Sequence, residues 1–153
     1  MTPLSLKNLS RRDQKLVRNC LAVRKNDYAP YSRFKVGAVA VSASGRTYEG
    51  CNVESSDYTL TTHAEMNAIN AMVTAGETEL AEVVVCLSAV SGLPVPCGLC
   101  RQKMKEFASR KGVKILCVGL DRKGKVKKIF RTSLAELLPL AFSKDNLSRR
   151  KRP

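Results

Sequence analysis

Val83-Val84-Val85-Cys86-Leu87 is an unbroken apolar run in the middle of the chain. A run of this kind is typical of a β-strand that is covered on both faces. Pro96 suits the first turn of a helix, and it predicts a helix over about residues 97–110. A second buried strand is expected from Val113 to Gly119. A strand, a helix and another strand in succession indicate a sheet with helices packed on its faces.

The N-terminal half adds two helices and a hairpin to this unit. Apolar residues recur at helical spacing over residues 9–26 and predict an amphipathic helix there. Residues 34–41 alternate in character, and with residues 47–53 they predict a β-hairpin around the turn signal Ser44-Gly45. A second helix is expected over residues 62–75, because Gly76 then provides a stop.

The C-terminal part predicts a strand over residues 126–130 and a short helix near residues 134–138, after a turn at residues 121–124. The whole order is helix, hairpin, helix, strand, helix, strand, strand, helix. We therefore expect a single α/β domain over residues 1–147, in which one central sheet lies between helices. Residues 148–153 are expected to form a separate, basic C-terminal tail.

The composition of the 153 residues is strongly basic. Lys and Arg number 27 against 13 Asp and Glu, which gives a formal net charge of +14. This balance favours anionic partners in general without identifying one. No apolar run reaches the roughly 18 residues of a membrane span, and no apolar signal segment is visible at the start, so a cytoplasmic protein without a membrane partner is expected. In a reducing compartment the six Cys are expected to be thiols or metal ligands.

Two short motifs carry the chemistry, Thr62-His63-Ala64-Glu65 and Pro96-Cys97-Gly98-Leu99-Cys100. Each lies at the predicted start of a helix. Cys97 and Cys100 are one helical turn apart, so both sulfurs lie on one face. His63 would complete a three-ligand zinc site whose fourth position stays open, as in catalytic zinc sites. Glu65 lies two residues from His63 and is placed to carry protons between water and a substrate nitrogen.

Each motif has a simpler interpretation when it is taken alone. Thr62-x-x-Glu65 fits a capping box, in which Glu65 only satisfies a backbone donor. A lone Cys-x-x-Cys is found in redox centres and in structural zinc sites. The joint pattern is more specific, because His-x-Glu followed by Pro-Cys-x-x-Cys is the signature of zinc-dependent nucleobase deaminases.

From about Tyr28 to Phe142 the chain resembles the small, single-domain cytidine deaminases. The resemblance includes these further stretches: Ala29-Pro30-Tyr31-Ser32-Arg33-Phe34-Lys35-Val36-Gly37-Ala38, Gly50-Cys51-Asn52-Val53-Glu54, Arg101-Gln102 and Glu136-Leu137-Leu138-Pro139. It implies a three-layer α/β fold with a five-stranded mixed sheet. It also implies hydrolytic deamination of cytidine and deoxycytidine to uridine and deoxyuridine plus ammonia, by zinc-bound hydroxide with a glutamate proton shuttle.

The resemblance assigns roles to individual residues of this chain. His63, Cys97 and Cys100 would hold Zn²⁺, and Glu65 would be the catalytic residue. The implied substrate-binding residues are Phe34, Asn52, Glu54, Tyr58, Ala64 and Phe142. Among them, an amide and a carboxylate two apart on a strand point to one side and suit a sugar diol. Phe142 matches a ring that a neighbouring subunit contributes, which implies a homotetramer.

The chain departs from these deaminases at His63, where they usually have Cys, and at Met66, where they usually have Arg. Three thiolates around a divalent cation leave a net charge of −1, which an arginine offsets. One neutral imidazole and two thiolates sum to zero with the cation, so that no arginine is needed. The two departures together predict an intact zinc site with a more Lewis-acidic metal.

The substrate is less sharply defined by the sequence than the chemistry is. Residues 63–69 also resemble deoxycytidylate, guanine and tRNA-adenosine deaminases, so a nucleotide, a modified cytidine or RNA stays an alternative substrate. Residues 101–131 hold 12 basic and two acidic residues. This is either a solvated basic surface or a nucleic-acid-binding surface, and the latter allows a binding module whose zinc site is not catalytic. No aromatic residues are interleaved as in single-strand binders, and the tail also fits a nuclear localisation signal.

Overall fold

A computed structural model describes residues 2–88 and 92–147, and its centre is a six-stranded sheet. The strands are β1 (Thr2–Leu4), β2 (Val36–Ser42), β3 (Thr47–Cys51), β4 (Leu80–Leu87), β5 (Lys114–Leu120) and β6 (Val126–Ser133). Their order across the sheet is β1-β6-β5-β4-β2-β3. Strands β4 and β5 are parallel and all other neighbours are antiparallel, so the sheet is mixed.

Helices cover both faces of the sheet. They are α1 (Arg11–Val23), α2 (Ala64–Thr74), α3 (Gly98–Glu106) and the single turn α4 (Leu134–Leu137), with short 3₁₀ segments at Leu6–Asn8, Arg24–Asn26 and Lys144–Asn146. On one face, Val17 and Cys20 of α1 belong to a buried cluster with side chains from β2, β4 and β5. On the other face, Ile69 and Met72 of α2 and Met104 of α3 belong to a second cluster. The result is the predicted three-layer arrangement of helix, sheet and helix.

The predicted fold class is confirmed, and all five predicted strands are present. The sequence did not predict the sixth strand, β1, which pairs antiparallel with β6 through Thr2 opposite Arg131 and Leu4 opposite Ile129. A strand of three residues that contains a proline is too short to show an alternating pattern.

The tail at residues 148–153 lies outside the described residues. No helix in the described part of the chain is long and apolar enough to cross a bilayer.

Helix α3 ends four residues earlier than predicted because its C-terminal segment pairs with the start of β4. Leu80 N–H donates to the Phe107 carbonyl at 2.6 Å, and Ser109 N–H donates to the Leu80 carbonyl at 2.9 Å. These two bonds satisfy backbone groups that a continued helix would have used. Residues 107–110 therefore leave the helix and lead into β5.

Two glycines let the helices approach the sheet from opposite faces. A Cβ on Gly37 of β2 would lie 2.4 Å from the Cys20 carbonyl oxygen in α1. A Cβ on Gly50 of β3 would lie 2.4 Å from the Ala68 nitrogen and 2.5 Å from the Ala64 oxygen in α2. All three obstacles are backbone atoms, which cannot move without displacing a helix. The second approach fixes the first turn of α2 against the sheet.

We expect the Gly37→Ala variant to lower the free energy of unfolding by about 1–3 kcal/mol, because the added methyl overpacks the contact between α1 and β2. Guanidinium unfolding measures this change. Gly92→Ala is the matched control, since a Cβ there has no neighbour within 4 Å among residues 2–88 and 92–147. It should stay within about 0.5 kcal/mol of the original chain. Equal stability of the two variants would contradict the close approach.

Candidate active site

Three side chains from two helix starts meet at one point. His63 is the N-cap residue of α2, Cys97 is the N-cap residue of α3, and Cys100 lies in the first turn of α3. His63 Nδ1 lies 3.2 Å from Cys100 Sγ and 3.3 Å from Cys97 Sγ. Both cysteines are free thiols. The structure therefore brings together the three residues that the sequence predicts as metal ligands.

The donor set fits zinc. The three ligand atoms all lie within 4.8 Å of one another, and the observed N···S distances are close to the roughly 3.5 Å expected between ligands of a tetrahedral zinc site. Imidazole and thiolate are the ligands that zinc prefers. Within residues 2–88 and 92–147 no fourth His, Cys, Asp or Glu joins this group. Three protein ligands are the number found in catalytic rather than structural zinc sites.

Glu65 lies beside this group in the first turn of α2, and only 4% of its surface is exposed. Burial raises the pKa of the Glu65 carboxyl, while the Cys100 side chain and His63 act in the opposite direction. The capping-box interpretation is wrong, because the helix begins one residue later than it requires. The N-cap is His63 rather than Thr62, and the His63 side chain makes no capping hydrogen bond. Thr62 and Glu65 therefore do not form a capping box.

A cleft of about 520 Å³ opens at this group. His63, Glu65 and Cys97 line one part of it. Four of the six predicted substrate-binding residues line it as well: Phe34, Asn52, Glu54 and Ala64. The sequence did not assign a role to other lining residues, among them Ser32, Thr61, Leu93 and Val95. Ser32 lies within the motif at residues 29–38, whereas no short motif marks the other three, which loops bring to the cleft.

Tyr58 and Phe142 do not line the cleft of their own chain. Tyr58 has a positive φ of 61°, is 67% exposed, and its ring centroid lies 6.0 Å from that of Tyr31. Phe142 is 57% exposed, and its carbonyl accepts a hydrogen bond from Gln102 Nε2 at 2.8 Å. Within a single chain, the structure therefore separates these two predicted residues from the other four.

Asn52 and Glu54 hold the segment that carries Phe34. Asn52 Oδ1 accepts from Val36 N–H at 2.8 Å, and Asn52 Nδ2 donates to the Phe34 carbonyl at 2.9 Å. Glu54 accepts from the backbone N–H groups of Tyr31 and Ser32 at 2.9 and 3.1 Å, and from the Ser32 hydroxyl. Both side chains thus fix residues 31–36 along one side of the cleft.

These bonds also keep Glu54 ionised. The Ser32 hydroxyl and then the backbone N–H groups of Ser32 and Tyr31 lower the pKa of the Glu54 carboxyl. Hydrogen bonds to the charged form of a carboxylate favour that form. Glu54 is therefore a hydrogen-bond acceptor at neutral pH, which suits contact with hydroxyl donors.

Comparison with known proteins agrees with this geometry. The family model described as "Cytidine and deoxycytidylate deaminase zinc-binding region" matches residues 10–117, a span that includes His63, Glu65, Cys97 and Cys100. The chain belongs to this deaminase family. The match confirms the predicted resemblance and the prediction of a zinc-binding deaminase.

Related proteins of the family cover most of the chain. A cytidine deaminase of Sporosarcina psychrophila is 36% identical over 135 residues, which are 88% of this chain and 94% of that protein. A cytidine deaminase of Mycobacterium tuberculosis is 37% identical over 125 residues, which are 82% of this chain and 85% of that protein. The crystal structure of cytidine deaminase from Burkholderia pseudomallei superposes with a TM-score of 0.72 at 34% identity, covering 88% of this chain and all of that chain.

The surroundings of the ligand group agree with the absence of a charge-balancing arginine. Met66 packs against the apolar cluster between α2 and the sheet. Arg101 follows Cys100 directly, but its guanidinium donates to the carbonyls of Pro96 at 2.7 Å and Leu137 at 3.0 Å. Position 66 thus carries a neutral thioether, and the guanidinium of Arg101 is hydrogen-bonded to backbone carbonyls rather than to the sulfurs.

We expect His63→Cys to lower kcat/KM at least about tenfold more than the double variant His63→Cys with Met66→Arg. The single variant adds a thiolate to a partly desolvated group without a balancing cation, and unpaired charges in such sites cost several kcal/mol. Steady-state kinetics of zinc-loaded protein measure the difference. Met66→Arg alone is the control for the bulk of the new side chain. Equal losses in the single and double variants would contradict the charge-balance explanation.

Proposed function

We propose that the chain catalyses the hydrolytic deamination of cytidine and deoxycytidine, with release of ammonia. The observation that carries this proposal is the meeting of His63, Cys97 and Cys100 beside the buried Glu65 in one cleft. The likeness to proteins named cytidine deaminases over more than four-fifths of the chain supports the choice of substrate.

The three ligands and Glu65 have different roles in the reaction, namely metal binding and proton transfer. His63, Cys97 and Cys100 would hold zinc, which would supply the positive charge that makes water a nucleophile at neutral pH. Glu65 accepts a proton from the attacking water and delivers it to the ring nitrogen of cytosine. It then takes the remaining proton of the added hydroxyl group and passes it to the amine, so that the carbon–oxygen double bond forms while the carbon–nitrogen bond breaks and ammonia leaves. A carboxyl whose pKa is raised by burial suits both steps, because its protonated and ionised forms then lie closer in free energy at neutral pH.

The rest of the cleft is placed to orient a nucleoside. Phe34 provides an aromatic wall for the base, and Ala64 offers a backbone N–H at the start of α2 that the helix does not use. Asn52 keeps one amide hydrogen after its contacts with the backbone, and Glu54 is an ionised acceptor. Together they suit the hydroxyl groups of a sugar.

The charge of the cleft favours a nucleoside over a nucleotide or RNA. No lysine or arginine is among the residues that line it in the described part of the chain, and Glu54 is ionised there. A phosphate group would meet a carboxylate without a compensating cation, which is unfavourable in a partly dry site. The set of three protein ligands among the described residues also favours an enzyme over a binding module with a structural zinc.

The test is to incubate zinc-loaded protein with cytidine, deoxycytidine, deoxycytidylate, guanine, adenosine and a short RNA, and to measure ammonia. We expect ammonia from the first two compounds. The Glu65→Gln variant should keep stoichiometric zinc and lose at least about 100-fold in turnover, because a proton carrier typically contributes that much. Normal turnover by this variant would refute the proposed role of Glu65. A preference for deoxycytidylate, guanine, adenosine or RNA would refute the substrate assignment.

We propose further that the enzyme is a homotetramer in the cytoplasm, in which Phe142 of one subunit contacts the cleft of another. Leu140 and Phe142 support this, since these two large apolar residues are 96% and 57% exposed in the single chain. Light scattering should then give about four times the chain mass of 16.8 kDa. Phe142→Ala should raise KM for cytidine, whereas the control Leu147→Ala, also exposed, should not. A monomer in solution would contradict this arrangement.

A further inference from the structure

A second groove, of about 690 Å³, lies at the other end of α3 from the metal ligands. We call it the basic groove. It is bordered by the C-terminal end of α3, the loop into β5, and α4 with the segment that follows it. Its cationic lining residues are Lys105, Arg110, Lys111, Lys114 and Lys144, and Glu106 is its one acidic lining residue in the described part of the chain. No residue lines both the basic groove and the active-site cleft.

In the described part of the chain, the cations of the basic groove are not found in ion pairs. The ion pairs among the described residues use Arg12, Lys35, Arg46 and Arg131, all outside this groove. Five positive charges that face one concavity repel one another, and a concave wall of low dielectric strengthens their combined potential. A bound polyanion would remove this repulsion.

The loop that presents two of these cations is held in place at both ends. Ser109 N–H donates to the Leu80 carbonyl, and Gly112 N–H donates to the Ser109 carbonyl, both at 2.9 Å. The Ser109 hydroxyl also donates to the Gly112 carbonyl at 2.9 Å. Arg110 and Lys111 therefore lie in a fixed turn between these contacts. A binding surface that is already ordered loses less conformational entropy when a ligand binds.

We propose that the basic groove binds the phosphate backbone of a nucleic acid. Nucleic-acid interfaces are polar and strongly positive, whereas protein interfaces are enriched in aromatic residues and depleted of lysine. The lining contains five cations and three serines beside aliphatic and small residues, and no aromatic residue among the described ones. Without aromatic rings the groove cannot stack bases. Recognition is then limited to phosphates and is independent of base sequence.

A neighbouring groove shares Arg110, Lys111 and Lys114, but it adds the carboxylates of Glu79 and Glu82 together with Arg12, which pairs with Glu82 at 2.7 Å. Phosphate contacts are therefore expected from the basic groove itself. Its five cations suit several phosphates of one strand better than a single small anion. This binding is separate from deamination, because the residues proposed for catalysis lie at the opposite end of α3.

The test uses fluorescence anisotropy of the full chain with a labelled oligouridylate of about 20 nucleotides, at several salt concentrations. This probe contains no cytosine, so its binding does not depend on the proposed catalytic function. In 0.1 M salt, Arg110→Gln with Lys111→Gln should lower the affinity about 25-fold and make the salt slope shallower by about 1.4, if each cation contacts one phosphate of a single strand. Oligoadenylate should bind as tightly as oligouridylate, since the bases are not recognised.

Arg122→Gln with Lys123→Gln is the matched control, because it removes the same charge from the exposed turn between β5 and β6. We expect it to weaken RNA binding less than about threefold. We also expect both double variants to deaminate cytidine as the original chain does.

Equal losses of RNA affinity in the two variants would overturn the proposal in favour of general charge attraction. No RNA binding in dilute buffer would also overturn it. Binding of phosphatidylserine vesicles that only the Arg110/Lys111 variant loses, with RNA binding unchanged, would assign the groove to a membrane surface instead.

Discussion

The convergence of one imidazole and two thiols is the constraint on which the rest of the structure depends. His63 is separated by 34 residues from Cys97 and by 37 from Cys100, so only the fold can bring the three together. The chain achieves this by starting two helices at the same place. The N-cap residues of α2 and α3 have extended backbones, and their side chains are not used for capping. The ligand positions are therefore set by where each helix begins.

The positions of those helix starts are determined by the sheet beneath them. Strand β4 pairs with β2 on one side and with β5 on the other. The chain therefore leaves an inner strand of the sheet before it reaches Cys97. Gly50 removes the side chain that would hold the first turn of α2 away from β3. Without that approach, His63 and Glu65 would be displaced from the sulfurs by the bulk of a methyl group. A residue with no chemical function thus helps to set the geometry of a chemical site.

The sequence predicted the features that depend on residue type and spacing. It did not predict which hydrogen-bond partners the polar side chains have in the folded chain. The joint pattern of His63-x-Glu65 followed by Pro96-Cys97-x-x-Cys100 was sufficient to predict the ligand group, because few chemistries need that combination. The one-residue shift that excludes a capping box at Thr62 is a backbone detail that no pattern encodes. The partners of Asn52 and Glu54 depend on how residues 31–36 fold back over the strands. Strand β1 has too few residues for any periodicity.

The distribution of charge separates the two concave surfaces of the molecule. The active-site cleft has no lysine or arginine among its described lining residues, although the chain carries a net charge of +14. If the positive charge served to attract a substrate phosphate to the metal ligands, cations should line that cleft. They gather instead beyond the C-terminal end of α3, around a loop that hydrogen bonds hold in a fixed shape. Because unpaired like charges destabilise a folded chain, their concentration there argues for a use that is distinct from deamination.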